Sequence, residues 1–263
     1  MTDFLTVDND HLEYKWWGEP RADGKAIVML HEGLGCIALW RDVPELLAKA
    51  TGLPVFAYTR AGYGPSSPIS LPRPYDYLDH ESFHVLPRVL DAAGITEAAL
   101  VGHSDGGTIA LMAAAKPDMQ DRVASIVSLA AHVFVEDVTL AGLEDARRAY
   151  EETNLRDRLT RYHGDNVDCA FHGWNDTWLD PAFRDWNIEH LLHMVTAPSL
   201  IIQGEEDEYA TAAQVEAIAA GLSGPVETWM VPGSGHMPHL DTKTDVLDRV
   251  AQFITMDRAL CSA

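Results

Sequence analysis

The chain is poor in three things. It has only three cysteines in 263 residues, Cys36, Cys169 and Cys261. An odd number, with no two close in sequence, builds neither a disulfide framework nor a zinc motif, so a reducing compartment is expected. Positive charge is scarce: 19 lysines and arginines stand against 40 aspartates and glutamates, a formal net charge of −21. That argues against nucleic acid and anionic membrane surfaces as partners, but acidic surfaces are common on soluble proteins and name no substrate. Long apolar runs are missing too. No stretch approaches the roughly 20 residues that span a bilayer. The opening MTDFLTVDNDHLEYKWW has neither a basic n-region nor an apolar h-region, so no signal peptide is read and a cytoplasmic location is expected.

What is present is core material. Hydrophobic residues make up 47% of the chain, which excludes wholesale disorder, and the length suits one or two domains. Apolar runs alternate with helical patterns, the sign of a parallel sheet flanked by helices. Two short strands are expected at Phe4–Val7 and Leu12–Trp17, turning at Asp8–Asp10. Buried strands follow at AIVMLHEG, LPVFAYTRAGYG, AALVGHSDGG, ASIVSLAAHV, PSLIIQG and VETWMVPG. Between them the helices read WRDVPELLAKATG, closed by its glycine, then SFHVLPRVLDAAG, kinked or started by Pro87, then TIALMAAAK, TAAQVEAIAAGL and DVLDRVAQFITM. From His132 to Val195 the rhythm breaks. No buried strand is visible there, only polar helical patterns, arginines at 147, 148, 156, 158 and 161, and several aromatics, which predicts an inserted helical cap. The expected division is 1–131 with 196–263 as core and 132–195 as cap.

The informative stretch is Gly102-His103-Ser104-Asp105-Gly106, a G-x-S-x-G pentapeptide with a strand before it and a helix after it. That context suits a nucleophile elbow, a turn so tight that Gly102 and Gly106 must lack side chains and Gly107 eases helix packing. It should point the Ser104 hydroxyl into solvent, above a helix N-terminus able to steady an oxyanion. The plainer alternative is that Ser104 only caps the helix. A serine nucleophile needs a base, and the base an orienter, in the chain order serine, acid, histidine. Asp207, within Glu205-Glu206-Asp207-Glu208, and His236, within Ser234-Gly235-His236, both follow strand ends on the same sheet edge as Ser104, where open α/β sheets place ligands. His239 competes with His236, and its plainer role is packing. His236-x-x-His239 lacks the glutamate of the helical zinc motif, so no metal is expected.

With LHEGLG, TRAGYGPSS, GHSDGG, GEED and GSGH on the page, the chain resembles the α/β-hydrolase-fold family over nearly its whole length. The resemblance implies an α/β architecture with an eight-stranded, mostly parallel sheet flanked by helices, an inserted helical cap and no cofactor. It implies a catalytic Ser104–His236–Asp207 triad with an oxyanion hole formed by the backbone N–H of Asp105 and one from the loop after the third strand. There the family usually has His-Gly-x, whereas this chain has His31-Glu32-Gly33-Leu34-Gly35. Gly33 takes the donor position when the loop is aligned on its histidine and Gly35; a gapped alignment selects Leu34. Glu32 either lines the substrate site or faces solvent or an arginine such as Arg60, and His31 braces the loop. Asp105 resembles the aspartate of some esterases that prefer α-amino-acid esters, where it is thought to meet the ammonium; its structural alternative is hydrogen bonding within the elbow. Trp174 and Trp178, four apart, are expected to line the pocket. The reading is a carboxylesterase-like serine hydrolase acting through an acyl-enzyme on a small ester, lactone, thioester or amide. Two alternatives stand beside it: a C–C bond hydrolase of aromatic ring-cleavage products, with cap arginines holding a carboxylate, and a non-catalytic ligand-binding protein of the same fold.

Overall fold

The computed structural model describes residues 3–260. Among the described residues Cys36 and Cys169 form no disulfide, and Cys261 lies outside them. The chain opens with an antiparallel pair, β1 (Asp3–Val7) and β2 (Asp10–Trp17), turned through Asp8 at φ 55°. Next come β3 (Lys25–Leu30), α1 (Val43–Thr51) and β4 (Val55–Tyr58). Helix α1 ends at Gly52, which takes φ 67° and donates its N–H to the Ala48 carbonyl.

The helix around Pro87 starts earlier than its pattern suggests and is less regular. α2 (Tyr77–His80) runs through a π-helical stretch (Glu81–Val85) into α3 (Leu86–Ala92). Pro87 accounts for the widened turn, since it has no N–H to give to the preceding turn and its ring crowds the carbonyl there. β5 (Glu97–His103), α4 (Asp105–Ala115) and β6 (Val123–Leu129) build the centre. Every residue of α4 is buried, as an apolar stretch with no polar face requires. α5 (Asp137–Glu152), α6 (Leu155–His163), α7 (Val167–Leu179) and α8 (Glu189–Leu192) follow before the sheet resumes. The chain closes with β7 (Ser199–Gly204), α9 (Ala212–Gly221), β8 (Val226–Val231), α10 (Pro238–Asp241) and α11 (Lys243–Leu260).

The eight strands form one sheet in the order β1-β2-β4-β3-β5-β6-β7-β8. The β1–β2 and β2–β4 pairs are antiparallel and the rest parallel. Two apolar layers sandwich the sheet. Along β5, Leu100 packs into one layer while Ala99 and Val101 pack into the other, the period of two expected of a strand buried on both faces.

Buried polar contacts fasten the helical segment between β6 and β7 to the sheet's loops. His163 accepts the Gly64 N–H on Nδ1 (3.1 Å) and donates from Nε2 to the Leu34 carbonyl (3.1 Å). The Asn166 amide donates to the carbonyls of Gly64 (3.0 Å) and Ser66 (2.7 Å). On α7, Trp178 donates its indole N–H to the Tyr77 hydroxyl (2.8 Å).

Candidate active site

Ser104 stands between β5 and α4 at φ 51° and ψ −119°, left-handed backbone that residues with a Cβ rarely adopt. The turn closes only because its flanks are bare. A Cβ on Gly102 would lie 2.1 Å from the Gly106 carbonyl oxygen, and one on Gly106 would lie 1.9 Å from that of Leu30. The Ser104 side chain makes no helix-capping hydrogen bond, so the capping role does not describe it. It does not open to bulk solvent as expected either. Ser104 is 8% exposed and faces a cavity of about 230 Å³ that also touches residues of the helical segment.

His236 lines the same cavity, and Asp207 meets it from behind. Asp207 Oδ1 and Oδ2 lie 2.9 and 3.0 Å from His236 Nδ1, and the Asp207 side chain is fully buried. Burial works to raise the Asp207 carboxyl, but the hydrogen bond from His236, its charge and the Tyr209 N–H (2.8 Å) outweigh it and hold it below its ordinary value. With Nδ1 engaged, Nε2 is the nitrogen of His236 left for proton transfer. The His236 backbone is held at both ends: its N–H donates to Glu208 (3.1 Å), and its carbonyl accepts from His103 Nε2 (2.8 Å). His132 supports the opposite side by donating from Nε2 to the Tyr209 carbonyl (3.1 Å); burial lowers its pKa, so it stays neutral. His239 is buried against Trp40 and His103, in the packing role.

The loop after β3 turns its carbonyls away from the cavity. Glu32 O accepts from His31 Nδ1 (2.7 Å), Arg60 Nη2 (2.9 Å) and the Gly35 N–H (3.0 Å), while Leu34 O accepts from His163. The Arg60 N–H donates to His31 Nε2 (3.0 Å), which fixes His31 as a neutral brace, in keeping with a pKa driven well down by burial. The amides of Gly33, Leu34 and Asp105 take no part in the backbone hydrogen bonds of the loop or the elbow, and all three residues line the cavity with Ser104 and His236. Donors stationed around a reactive serine can receive negative charge developing on a carbonyl oxygen.

A model of the α/β hydrolase fold matches residues 25–173, more than half of the chain. The chain belongs to the α/β-hydrolase-fold family. It is 27% identical to the serine hydrolase BPHL of Mus musculus over 241 residues, which cover 90% of this chain and 80% of that protein. It is 31% identical to the "Putative carbamate hydrolase RutD" of Variovorax paradoxus over 252 residues, 87% of this chain and 90% of that one. Among solved structures, the proline iminopeptidase of Mycobacterium smegmatis superposes with a TM-score of 0.75 at 19% identity, covering 99% of this chain and all of that one. The enol-lactonase of Burkholderia xenovorans superposes at 0.71 and 18% identity, covering 96% of this chain and all of that one; both likenesses are of fold. The chain is thus an α/β-hydrolase enzyme with serine-hydrolase relatives.

Within that family frame, two acidic residues of the site have specific surroundings. The Asp105 carboxylate is 2% exposed; Oδ2 accepts from the Tyr77 hydroxyl (2.9 Å) and lies 3.4–3.5 Å from the Arg60 guanidinium. Since Trp178 donates to that same Tyr77 hydroxyl, a buried chain of contacts joins α7 to the elbow. Glu32 lines the cavity with its side chain 22% exposed and does not pair its carboxylate with Arg60. Arg60 takes only its backbone carbonyl, and the carboxylate turns instead toward His103 Nδ1, 3.5 Å away. Trp174 lies against Gly33 so tightly that a Cβ there would be 2.2 Å from its Cδ1. Trp174 and Trp178 both reach the cavity, the latter almost wholly buried. Sequence reasoning missed Tyr77, Tyr209 and His132. Tyr77 and His132 lie far along the chain from their partners, and Tyr209, two residues after Asp207, is marked by no local pattern.

Proposed function

We propose that the protein is a carboxylesterase-like serine hydrolase acting through an acyl-enzyme on a small ester, lactone, thioester or amide. The observation that carries this reading is the left-handed Ser104 at a cavity it shares with His236, whose Nδ1 is held by the buried Asp207. Ser104 Oγ attacks the carbonyl carbon while His236 Nε2 takes its proton, and the Asp207 carboxylate offsets the imidazolium charge. The oxyanion accepts from the Asp105 N–H and from Gly33 or Leu34. His236 then protonates the leaving group, and water, activated by the same nitrogen, releases the acid.

The residues between 132 and 195 act as a cap over this site, and a small molecule is the only partner the reading needs. A cavity of about 230 Å³ with Leu34, Leu143, Trp174 and Met237 in its walls suits a small, neutral acyl group. A carbamate, the substrate class in RutD's name, belongs to the same acyl chemistry. Cleavage of a C–C bond with cap arginines holding a carboxylate finds less support. Arg147, Arg148 and Arg156 pair with Asp176, Asp145 and Asp168, Arg158 and Arg161 are exposed, and none of the five lines the cavity. A purely binding role would leave the strain at Ser104 without purpose.

A fluorophosphonate probe and a panel of short p-nitrophenyl esters, amino-acid esters and lactones test the reading. The probe is expected to label wild type and not Ser104→Ala, and His236→Ala should lose several orders of magnitude in kcat. Labelling of a different serine, or turnover surviving in either variant, refutes it.

A further inference from the structure

His103 is the last residue of β5 and is 1% exposed. Its Nε2 faces the His236 carbonyl, a pure acceptor, so Nε2 carries a hydrogen. Among the described residues its Nδ1 has no conventional hydrogen-bond partner, and the group it faces is Glu32 Oε2 at 3.5 Å. A neutral His103 beside an ionised Glu32 would set lone pair against lone pair at the buried Nδ1. A proton on Nδ1 turns that repulsion into a charge-assisted contact.

The carboxylate is seated for this contact. A Cβ on Gly35 would fall 2.5 Å from Glu32 Oε2, so the bare glycine makes its room. Burial alone would raise the Glu32 carboxyl, yet the neighbouring His103, with a smaller share from His31, holds it down at about 2. Five other titratable groups surround the pair: His31, His163, His236, His239 and Cys36. Burial drives His31 and His239 well down and lowers His163, so these stay neutral, and burial pushes the Cys36 thiol up to about 12. Arg60 meets Glu32 only at the backbone carbonyl, and His236 is committed to Asp207. His103 is the group left to balance the carboxylate.

We propose that Glu32 and His103 are positioning residues that hold one buried proton between them as a carboxylate–imidazolium pair. This rests on the triad reading above. The pair ties the loop bearing Gly33 and Leu34 to the elbow and, through the His236 carbonyl, to the loop that presents the base. Its electrostatics suit both halves of the reaction. The His103 and His236 rings are 5.1 Å apart, so a lone imidazolium would oppose protonation of His236. A lone carboxylate one residue from Gly33 would oppose the oxyanion. Together the charges cancel toward both.

The test is kcat and KM against pH with a neutral aryl ester, for wild type, Glu32→Gln and Glu32→Ala. Wild type is expected to lose kcat on the alkaline side, where the shared proton leaves. In Glu32→Gln the amide supplies a donor that does not titrate, so the alkaline fall disappears while the acid limb, set by the base, remains. Glu32→Ala should lower kcat about tenfold to a hundredfold with KM within about threefold, and Glu32→Gln should recover most of that loss. If Glu32→Ala does not fold, the Glu32→Gln profile alone decides. A flat alkaline side in wild type, or an alkaline fall that persists in Glu32→Gln, overturns the proposal. Ser104→Ala and His236→Ala run beside them. Turnover surviving there refutes the triad, whereas dead triad variants with an unaltered Glu32→Gln profile refute only the pair.

Discussion

Gly33→Ala is the smallest change that tests how the loop after β3 and the helical segment share the site. The new Cβ would sit 2.2 Å from Trp174 Cδ1 and 2.4 Å from Nε1. Carbon atoms rest at about 3.5–4.0 Å, so the loop and indole must separate by about 1.5 Å. Trp174 cannot retreat freely, because its ring packs on Phe171 and Tyr209. The loop is held by His31, Arg60 and His163, so the strain falls on the Gly33–Leu34 amides. Misplacement of that size at an oxyanion donor lowers kcat/KM about a hundredfold, roughly 2.7 kcal/mol. The assay is a double-mutant cycle on a neutral p-nitrophenyl ester. Adding Trp174→Ala removes the obstacle, and the double variant is expected to exceed Gly33→Ala alone by about tenfold, a non-additive rescue. Full activity in Gly33→Ala, or losses that simply add, would refute the geometric argument.

Two further outcomes follow from the elbow. Asp105→Asn leaves Arg60 buried without its countercharge and is expected to cost about 3 kcal/mol in urea unfolding, and to slow α-amino esters and their deaminated analogues alike; selective loss of the amino esters would show that Asp105 meets a substrate ammonium instead. Ser104→Gly abolishes turnover yet should raise stability by about 1 kcal/mol, because relief of the left-handed strain exceeds the entropy cost of glycine; a lower unfolding midpoint would mean that the turn is unstrained.

The elbow was legible because its requirements are local: a strand, a helix and three glycines within a few residues of Ser104. Asp207 and His236 were legible one step further on, since parallel strands deliver their following loops to one edge of the sheet. The contacts among Arg60, Tyr77, Asp105 and Trp178 join residues up to 101 positions apart, and no periodicity announces such a meeting. Glu32 shows the limit most clearly. Its departure from the usual glycine was visible, but its partner, His103, lay inside the motif already read as the nucleophile's own. The π-helical stretch before Pro87 was half visible, since the sequence signals a disturbance there without saying how the backbone absorbs it.

The fastening of the helical segment has a consequence for traffic. His163, Asn166 and Trp178 bind it to the Leu34 loop, the Gly64–Ser66 loop and Tyr77 of α2, each through groups whose partners would be stranded if the contact opened. A swinging lid would have to break all three at once. A segment so fastened predicts a standing aperture, with substrate expected to enter beside the exposed Met237 at the cavity's rim. Selection is then expected to work as a sieve, by the width of a fixed doorway, with no step in turnover that waits for a gate to open and close.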